Sequence, residues 1–562
     1  MKKSTALGLT AILIGSVAIR LSPLWSFLYW GSDTGEYFAI LRDLVGTGHV
    51  SSAYYGWGIT YPYFPGMFFV QGGLVELSGL DAPTALNLLV PILGAFAVVP
   101  MFLIAQHITG DDRIALFAAA FLMGAIPQAY TTAHAAPASL GDLLVLTGLL
   151  LFLRLRVDRA ALVPLLLVTG ALVATHHLSL YFFLLMVLGA VVIRGLASPW
   201  RWTAGTKREV AYAATLLVGT FTYWLGYATT FRESILSDVD IRPWWALLAL
   251  FPIGIGLVAA LIFLRTRLRW RYRPTYPGLR RRGTAYAAAA GTILLLGVVA
   301  VVAGVPGTSF RVPAEGLLYF VPLVLLMSFA APGRPFLDFE RDGVAVNAWL
   351  VALLLSAIVG ITVAPRVLIP YRHMEYLVVP FAIFAGVGLF RTLDLTAIRK
   401  GRRMATLAVL GLLLVANGFS AIPPPSTLAG WREGTTPAAI DPAYWARDQA
   451  RGLVVSDHHG STTVFGFGGL NATWDRTRTP FSMTDPYAGL SGIDSPSGRK
   501  DGSYIWIDRD MEAGVRLTPW ETAIPMDPKV VQKFDAAPFI KVFDNGYARL
   551  YWIAWGCTPS TC

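Results

Sequence analysis

Two acidic residues three apart, Asp33 and Glu36, lie in the run Gly31-Ser32-Asp33-Thr34-Gly35-Glu36-Tyr37-Phe38, directly after the first apolar segment, residues 5–30. A carboxylate where a membrane helix ends sits at the boundary between water and hydrocarbon. There it is partly desolvated yet reachable from both sides, by a lipid-borne substrate and by an aqueous one. If a helix begins here, Asp33 is near its N-cap and shares a face with Glu36. A helix cap is the other reading of Asp33, and the local sequence leaves both open.

Further ionisable groups recur at the ends of apolar segments on what the charge pattern makes the same side. They are His134 and Asp142, His176 and His177, Arg232, Arg311 with Glu315, and Arg372, His373 and Glu375. Such groups are costly to place at or within membrane helices and tend to be functional. Carboxylates with histidines could hold a hard divalent cation, and arginines a lipid phosphate. Structural roles stand beside these. Asp142 could cap a helix, His176-His177 could form an interfacial turn, and tyrosines such as Tyr61 and Tyr63 could be interface anchors. Arg372, a cation between apolar helices, needs an anionic partner.

The elements that must position these groups are membrane helices. The chain has 562 residues, 55% hydrophobic and 14% charged, with mean hydropathy +0.57. Soluble domains have about 45–50% apolar and about 25% charged residues. Apolar runs follow near 84–107, 113–131, 139–153, 160–175, 178–194, 209–228, 243–264, 284–304, 315–330, 344–364, 374–390 and 404–422. With the first segment they make about 13 spans. The net charge of +11 does not indicate nucleic acid, because the cations cluster in short linkers between apolar runs. The linkers 154–159, 194–208, 265–282 and 391–403 are arginine-rich, and 265–282 has eight Arg and no acid. The positive-inside rule puts them in the cytoplasm with the N-terminus. Met1-Lys2-Lys3 and the apolar run behind it read as an uncleaved first helix. Within that helix, Arg20 either snorkels to an interface or faces a polar cavity.

A long first loop, 31–83, is expected on the outer side, with amphipathic stretches at 36–46 and 66–79 that could lie in the interface. Beyond Pro423-Pro424-Pro425 the composition turns polar, and 424–562 reads as an extracytoplasmic α/β domain after the membrane domain 1–423. Strands are expected at Leu453–Ser456, Thr463–Phe467 and Tyr504–Ile507. A hairpin is expected over Lys541–Tyr551, with Asn545-Gly546 in a type I′ turn. Cys557 and Cys562 could pair or stay free, and Asn471-Ala472-Thr473 matches an N-glycosylation sequon.

In these features the chain resembles the GT-C superfamily of polyprenyl-phosphate-dependent membrane glycosyltransferases. That group includes protein mannosyltransferases, the aminoarabinose transferase of lipid A and single-subunit oligosaccharyltransferases. The likeness rests on Ser32-Asp33-Thr34-Gly35-Glu36-Tyr37, on Tyr61-Pro62-Tyr63-Phe64-Pro65, on Asp142 at the start of a span, on Pro370-Tyr371-Arg372-His373-Met374-Glu375-Tyr376 before a span with Pro380, and on the terminal hairpin. It implies a multi-pass cell-membrane enzyme with about 13 spans and an outer C-terminal α/β domain. Such an enzyme would move a sugar from a polyprenyl-phosphate donor to an extracytoplasmic protein, glycan or lipid acceptor. Asp33, with Glu36, would be the catalytic carboxylate, as general base or metal ligand. Asp142 and His134 would complete a site for a divalent cation, Mg²⁺ or Mn²⁺. Arg372 would grip the lipid phosphate, with Arg311, His373, Tyr61 and Tyr63 as further donor contacts. The Trp-Trp-Asp motif of oligosaccharyltransferases is missing, since Trp244-Trp245 is followed by Ala246. This favours a monosaccharide transferase. The competing class is a transporter or flippase for a lipid-linked or anionic substrate, which needs no catalytic acid.

Overall fold

The computed structural model describes residues 2–554 apart from 51–53, 55, 57, 198–202, 240–273, 305–310, 313, 341, 363–364, 397–399, 423–432, 474–476, 491–501 and 516–524. The expected span 243–264, the Trp244-Trp245 pair and both cysteines lie outside the described residues.

The protein is a multi-pass helical membrane protein. Among the described residues, eight helices are long and apolar enough to cross a membrane, and nine if one bent pair counts as a span. They include α1 (Lys3–Leu21), the joined α4 (Ala82–Ala95) and α5 (Val98–Thr109), α8 (Pro137–Leu155) and α10 (His177–Ala197). The bent pair is α6 (Asp112–Gly124) with α7 (Ile126–Ala133), which meet at 59°. Pro127 at the start of α7 lacks the N–H that would continue the ladder from α6. Other segments expected to span form shorter apolar helices, Arg159–Thr175 and Ala408–Ser420. The segment expected at 209–228 forms α11 (Ala204–Thr222), whose first turns carry Lys207, Arg208 and Glu209.

The main core lies between these helices and is built from Leu, Ala, Val and Phe, with Trp349, Phe102, Phe121 and Phe183 fully buried. The helix Leu279–Val302 buries none of its residues and exposes Leu294, Leu295, Leu296, Val298, Val299 and Val302. In hydrocarbon such a face has no hydrophobic penalty to avoid, provided the backbone groups are paired within the helix.

Both amphipathic stretches of the first loop are helical, α2 (Thr34–Thr47) and α3 (Gly66–Ser78). Each ends on a glycine with left-handed φ, Gly48 at +74° and Gly79 at +70°. Their facing sides make a small core of Tyr37, Leu41, Leu44, Met67 and Phe68, while Phe69, Val70 and Leu77 of α3 are exposed.

Residues 433–554 build a second core around a five-stranded sheet of order β4-β3-β5-β7-β6. The strands are β3 (Leu453–Val455), β4 (Ala472–Thr473), β5 (Gly502–Asp508), β6 (Phe539–Asp544) and β7 (Ala548–Ile553). β3 runs parallel to β4 and β5, and the β5–β7 and β7–β6 pairs are antiparallel. Two local expectations are corrected. Residues 463–467 are no strand but the end of a helix, His458–Thr463, and the π turn Val464–Gly468 that follows it. Asp457 starts that helix by accepting from the Gly460 N–H at 2.9 Å, and a short apolar run does not reveal its period. The β6–β7 turn is not type I′, because among its described residues only Gly546 has a left-handed φ, +81°. Instead the Asn545 side chain accepts from the N–H groups of Tyr547 and Ala548. In the sequon, Thr473 is buried in β4.

The two parts of the chain are stitched together beside Asp33. The ribbon β1 (Tyr29–Trp30), directly after the first span, pairs antiparallel with β2 (Gly434–Thr435). Tyr29 and Phe38 stack on Phe467 with ring centres 5.1 and 4.8 Å apart.

Candidate active site

Asp33 occupies the N-cap position of α2, yet its side chain makes no capping hydrogen bond. The carboxylate turns instead to the C-terminal part of the chain, where His458 Nε2 donates to Asp33 Oδ1 at 2.8 Å. Tyr37 Oη donates to Oδ2 at a longer 3.4 Å. Asp33 is 27% exposed and His458 1%. Oδ1 is therefore held by a buried donor while the side chain as a whole stays partly open.

The loop that carries Asp33 is clamped on both sides. The Ser32 N–H donates to Glu433 Oε2 at 2.7 Å, and the Gly31 N–H to the Glu433 carbonyl at 2.7 Å. Thr462 Oγ1 donates to the Ser32 carbonyl at 2.7 Å. Gly35 and Gly466 let the two backbones touch. A Cβ on Gly35 would overlap the Thr462 carbonyl, and one on Gly466 the Gly35 carbonyl. Arg42, two turns along α2, donates to the Gly466 carbonyl at 2.8 Å.

His134 follows α7 and lies against this clamp. Its ring stacks on Trp30 with centres 5.8 Å apart, and its Nε2 is 3.5 Å from Glu433 Oε2. Burial holds the imidazole below its ordinary pKa, against the pull of Glu433. Tyr130 Oη donates to the other Glu433 oxygen at 3.1 Å.

Arg372 ends the turn Pro370–Arg372 before the helix His373–Thr396. That turn follows Ile369 at φ +43°, the one non-glycine residue with positive φ among the described residues. A β-branched residue in this region stores about 1–3 kcal/mol of strain, which the surrounding packing must sustain. Arg372 Nη1 lies 3.6 Å from Glu375 Oε2, and the side chain is 33% exposed. The Tyr37 and Tyr61 hydroxyls, 3.1 Å apart, lie within electrostatic reach of both Asp33 and Arg372. Burial first, and then neighbours that include Asp33, raise both phenols above their ordinary values, so they serve as neutral donors. Asp33, Tyr37, Tyr61 and Arg372 thus share one site, with a carboxylate and a guanidinium that are both partly open.

Other expected residues lie elsewhere. Glu36 is fully buried, accepts from Tyr54 Oη and from the Gly58 N–H, and so anchors the first loop. Tyr63 faces away and bonds Thr229 Oγ1 at 2.9 Å. His373 is buried between helices, with Nε2 2.8 Å from Ser356 Oγ. Arg311 is exposed and has no ion pair among the described residues. Asp142 caps no helix, because α8 begins five residues earlier at Pro137. Its carboxyl is buried against Gln128 and Glu375. No group of three or more His, Cys, Asp or Glu side chains among the described residues is arranged to hold a metal ion. Asp33, Asp142 and His134 turn to different partners, His458, Gln128 with Glu375, and Glu433, and as arranged do not fit a divalent cation. The tight turn expected at His176-His177 forms between Thr175 and α10, where His176 Nδ1 accepts from the Ser179 N–H.

His458 and Glu433 are absent from the sequence-based candidates. A signal existed for His458, since Asp457-His458-His459 directly follows an expected strand, and the carboxyl ends of parallel strands are where such sheets place functional groups. Glu433 had none.

No family model matches the chain, and no curated protein matches it in sequence. Solved structures do. ArnT from Cupriavidus metallidurans in the apo state matches at 14% identity over 98% of both chains, with a TM-score of 0.50. The chain has the GT-C fold. The same ArnT bound to undecaprenyl phosphate matches at 13% identity over 98% of both chains (TM-score 0.49). Mycobacterial arabinofuranosyltransferase AftD matches at 16% identity over 97% of this chain and 41% of its own (TM-score 0.48). A GT-C fold in a multi-pass membrane protein agrees with the architecture described above.

Proposed function

We propose that the protein is a membrane glycosyltransferase that transfers a sugar from a polyprenyl-phosphate donor to an acceptor outside the cytoplasm, with Asp33 as general base. The observation that carries this reading is the Asp33 carboxylate, fixed at 2.8 Å by a buried histidine and left partly open, with the Tyr37 and Tyr61 phenols in electrostatic reach of both it and Arg372.

The chemistry follows from that arrangement. An acceptor O–H or N–H attacks the anomeric carbon of the donor. The bond from this carbon to the phosphate oxygen breaks, and the acceptor's proton passes to Asp33 Oδ2. Arg372 takes up the charge on the departing phosphate as a planar, permanently charged donor. His458 orients Asp33 by donating to Oδ1. Tyr37 and Tyr61, neutral donors between the two charges, orient sugar or phosphate oxygens. Glu36 acts at a distance, by holding the loop that carries Tyr61. The exposed apolar residues of α3 suit a lipid-borne donor that arrives from the bilayer side.

The deciding experiment is transfer from a panel of radiolabelled polyprenyl-phosphate sugars by purified, detergent-solubilised protein, wild type against Asp33→Asn. Donor consumption that Asp33→Asn abolishes supports the enzyme. A donor turned over equally by both sinks the role of Asp33. No turnover, with lipid-phosphate binding that survives Asp33→Asn but not Arg372→Ala, points to a transporter.

A further inference from the structure

Arg20 lies inside the first span and takes no part in the chemistry above. Its side chain is fully buried, so it does not snorkel. Nε donates to Thr132 Oγ1 at 2.8 Å, Nη1 to Ser16 Oγ at 2.7 Å and Nη2 to Gln128 Oε1 at 2.5 Å. Weaker bonds reach the Ser16 and Met123 carbonyls. Among the described residues no carboxylate pairs with it directly, and the negative charge that acts on it is that of Asp142.

Gln128 is the bridge. Its carbonyl takes the Arg20 donor, and its amide donates to Asp142 Oδ2 at 3.5 Å. Asp142 lies against Glu375, and Glu375 is 3.6 Å from Arg372. The Asp142 and Glu375 carboxyl groups share a side-chain hydrogen bond, and Tyr376 also reaches Asp142. The order in space is thus Arg20, Gln128, Asp142, Glu375, Arg372, with two cations flanking two carboxyl groups. Buried charges persist where their fields are balanced, and removing one partner shifts the whole burden to the other.

We propose that Arg20 is a positioning residue for the anion site. By balancing Asp142 from inside the membrane, it leaves Arg372, which lies 3.6 Å from Glu375, facing one carboxyl group rather than two, so that the guanidinium keeps capacity for a phosphate. Without Arg20, Arg372 alone faces both carboxyl groups, and a phosphate must compete with them. The inference rests on the role of Arg372 in the reading above.

Binding of undecaprenyl phosphate in detergent micelles tests it, with full-length wild type, Arg20→Gln, Arg20→Lys, Glu375→Gln and the double variant Arg20→Gln/Glu375→Gln. Arg20→Gln is expected to weaken binding about tenfold, a usual size for coupling between separate sites. Arg20→Lys keeps the charge and stays near wild type. The double variant recovers, because the surplus negative charge is gone. The same loss is expected with inorganic phosphate, since the dependence lies in the headgroup. Arg20→Gln binding like wild type, a double variant that does not recover, or a loss confined to the lipid overturns the inference. Should Arg20→Gln not fold, Glu375→Gln alone decides: tighter phosphate binding supports the balance, and unchanged or weaker binding overturns it. A wild-type protein that binds neither probe overturns the role of Arg372 and this inference together. Binding that is indifferent to residue 20 overturns the inference alone.

Discussion

His458 Nε2 meets Asp33 Oδ1 at 2.8 Å across 425 positions of the chain. The histidine is buried and the carboxylate is not, so the contact fixes the acid from behind and leaves the side chain partly open. A carboxylate at the edge of a membrane helix otherwise has freedom to swing into water. The sheet-bearing C-terminal part removes that freedom by placing one imidazole at the end of β3, and this relationship sets the first expectation.

His458→Ala is expected to lower the transfer rate about 10²-fold, the usual loss when a reacting group is misplaced by about 1 Å. The KM for the donor should change little, because Arg372 is untouched. His458→Gln, which can still donate to Asp33, should recover part of the loss. Steady-state kinetics on the three proteins check this, and a rise in KM with kcat unchanged would contradict it.

The touching backbones at Gly35 and Gly466 predict that a single methyl undoes the docking. Gly35→Ala must push the Thr462 carbonyl away and with it the His458 helix. A loss of about 1–3 kcal/mol is expected from overpacking, read as a lower Tm in detergent and as faster proteolysis between residues 433 and 470. Gly48→Ala has open space around it and meets only the strain of its left-handed φ, so it should leave transfer intact.

Glu433 is buried and accepts from the Ser32 N–H and from Tyr130 Oη. Glu433→Ala leaves those donors without their partner, at a cost of about 1–3 kcal/mol for each buried group. Stability and transfer should fall together. Glu433→Gln, able to accept through one oxygen, is expected to lie between. Thermal unfolding and the transfer assay on both variants separate these outcomes.

Acid should loosen the same junction. The folded pKa of His134 is held by burial below the value of about 6.5 that the unfolded chain shows. The unfolded state then binds more protons in that window, so this contribution to stability is complete above about pH 6.5 and is lost as the pH falls through the folded value. Tm measured from pH 7.5 down to 5 should drop in wild type and drop less in His134→Gln. Equal slopes would remove His134 as the cause.

The membrane class was legible in the sequence because a bilayer imposes a one-dimensional rule: backbone groups must pair within each segment, and about 20 apolar residues suffice to span it. The helices α2 and α3, the strands β3 and β5 and the terminal hairpin were legible for a similar reason, since each is a local pattern. The exceptions lie where a local pattern is ambiguous, as at residues 463–467, where an apolar run too short to show its period was captured by the Asp457 cap.

For the site, the sequence alone determined that Asp33 and Arg372 stand at helix ends, because charge and hydropathy register directly along the chain. It also marked Arg20 as out of place. Only the tertiary structure decided what each group faces. It turned Asp33 from a helix cap toward His458, sent His373 into the helix core beside Ser356, and set Asp142 against Glu375 instead of beside Asp33. It also made Glu433 the clamp under Ser32. The physical reason is that hydrogen bonds and ion pairs form over about 3 Å in space with no dependence on sequence separation. Partners 401 and 425 positions apart therefore leave no periodicity for a linear reading to detect.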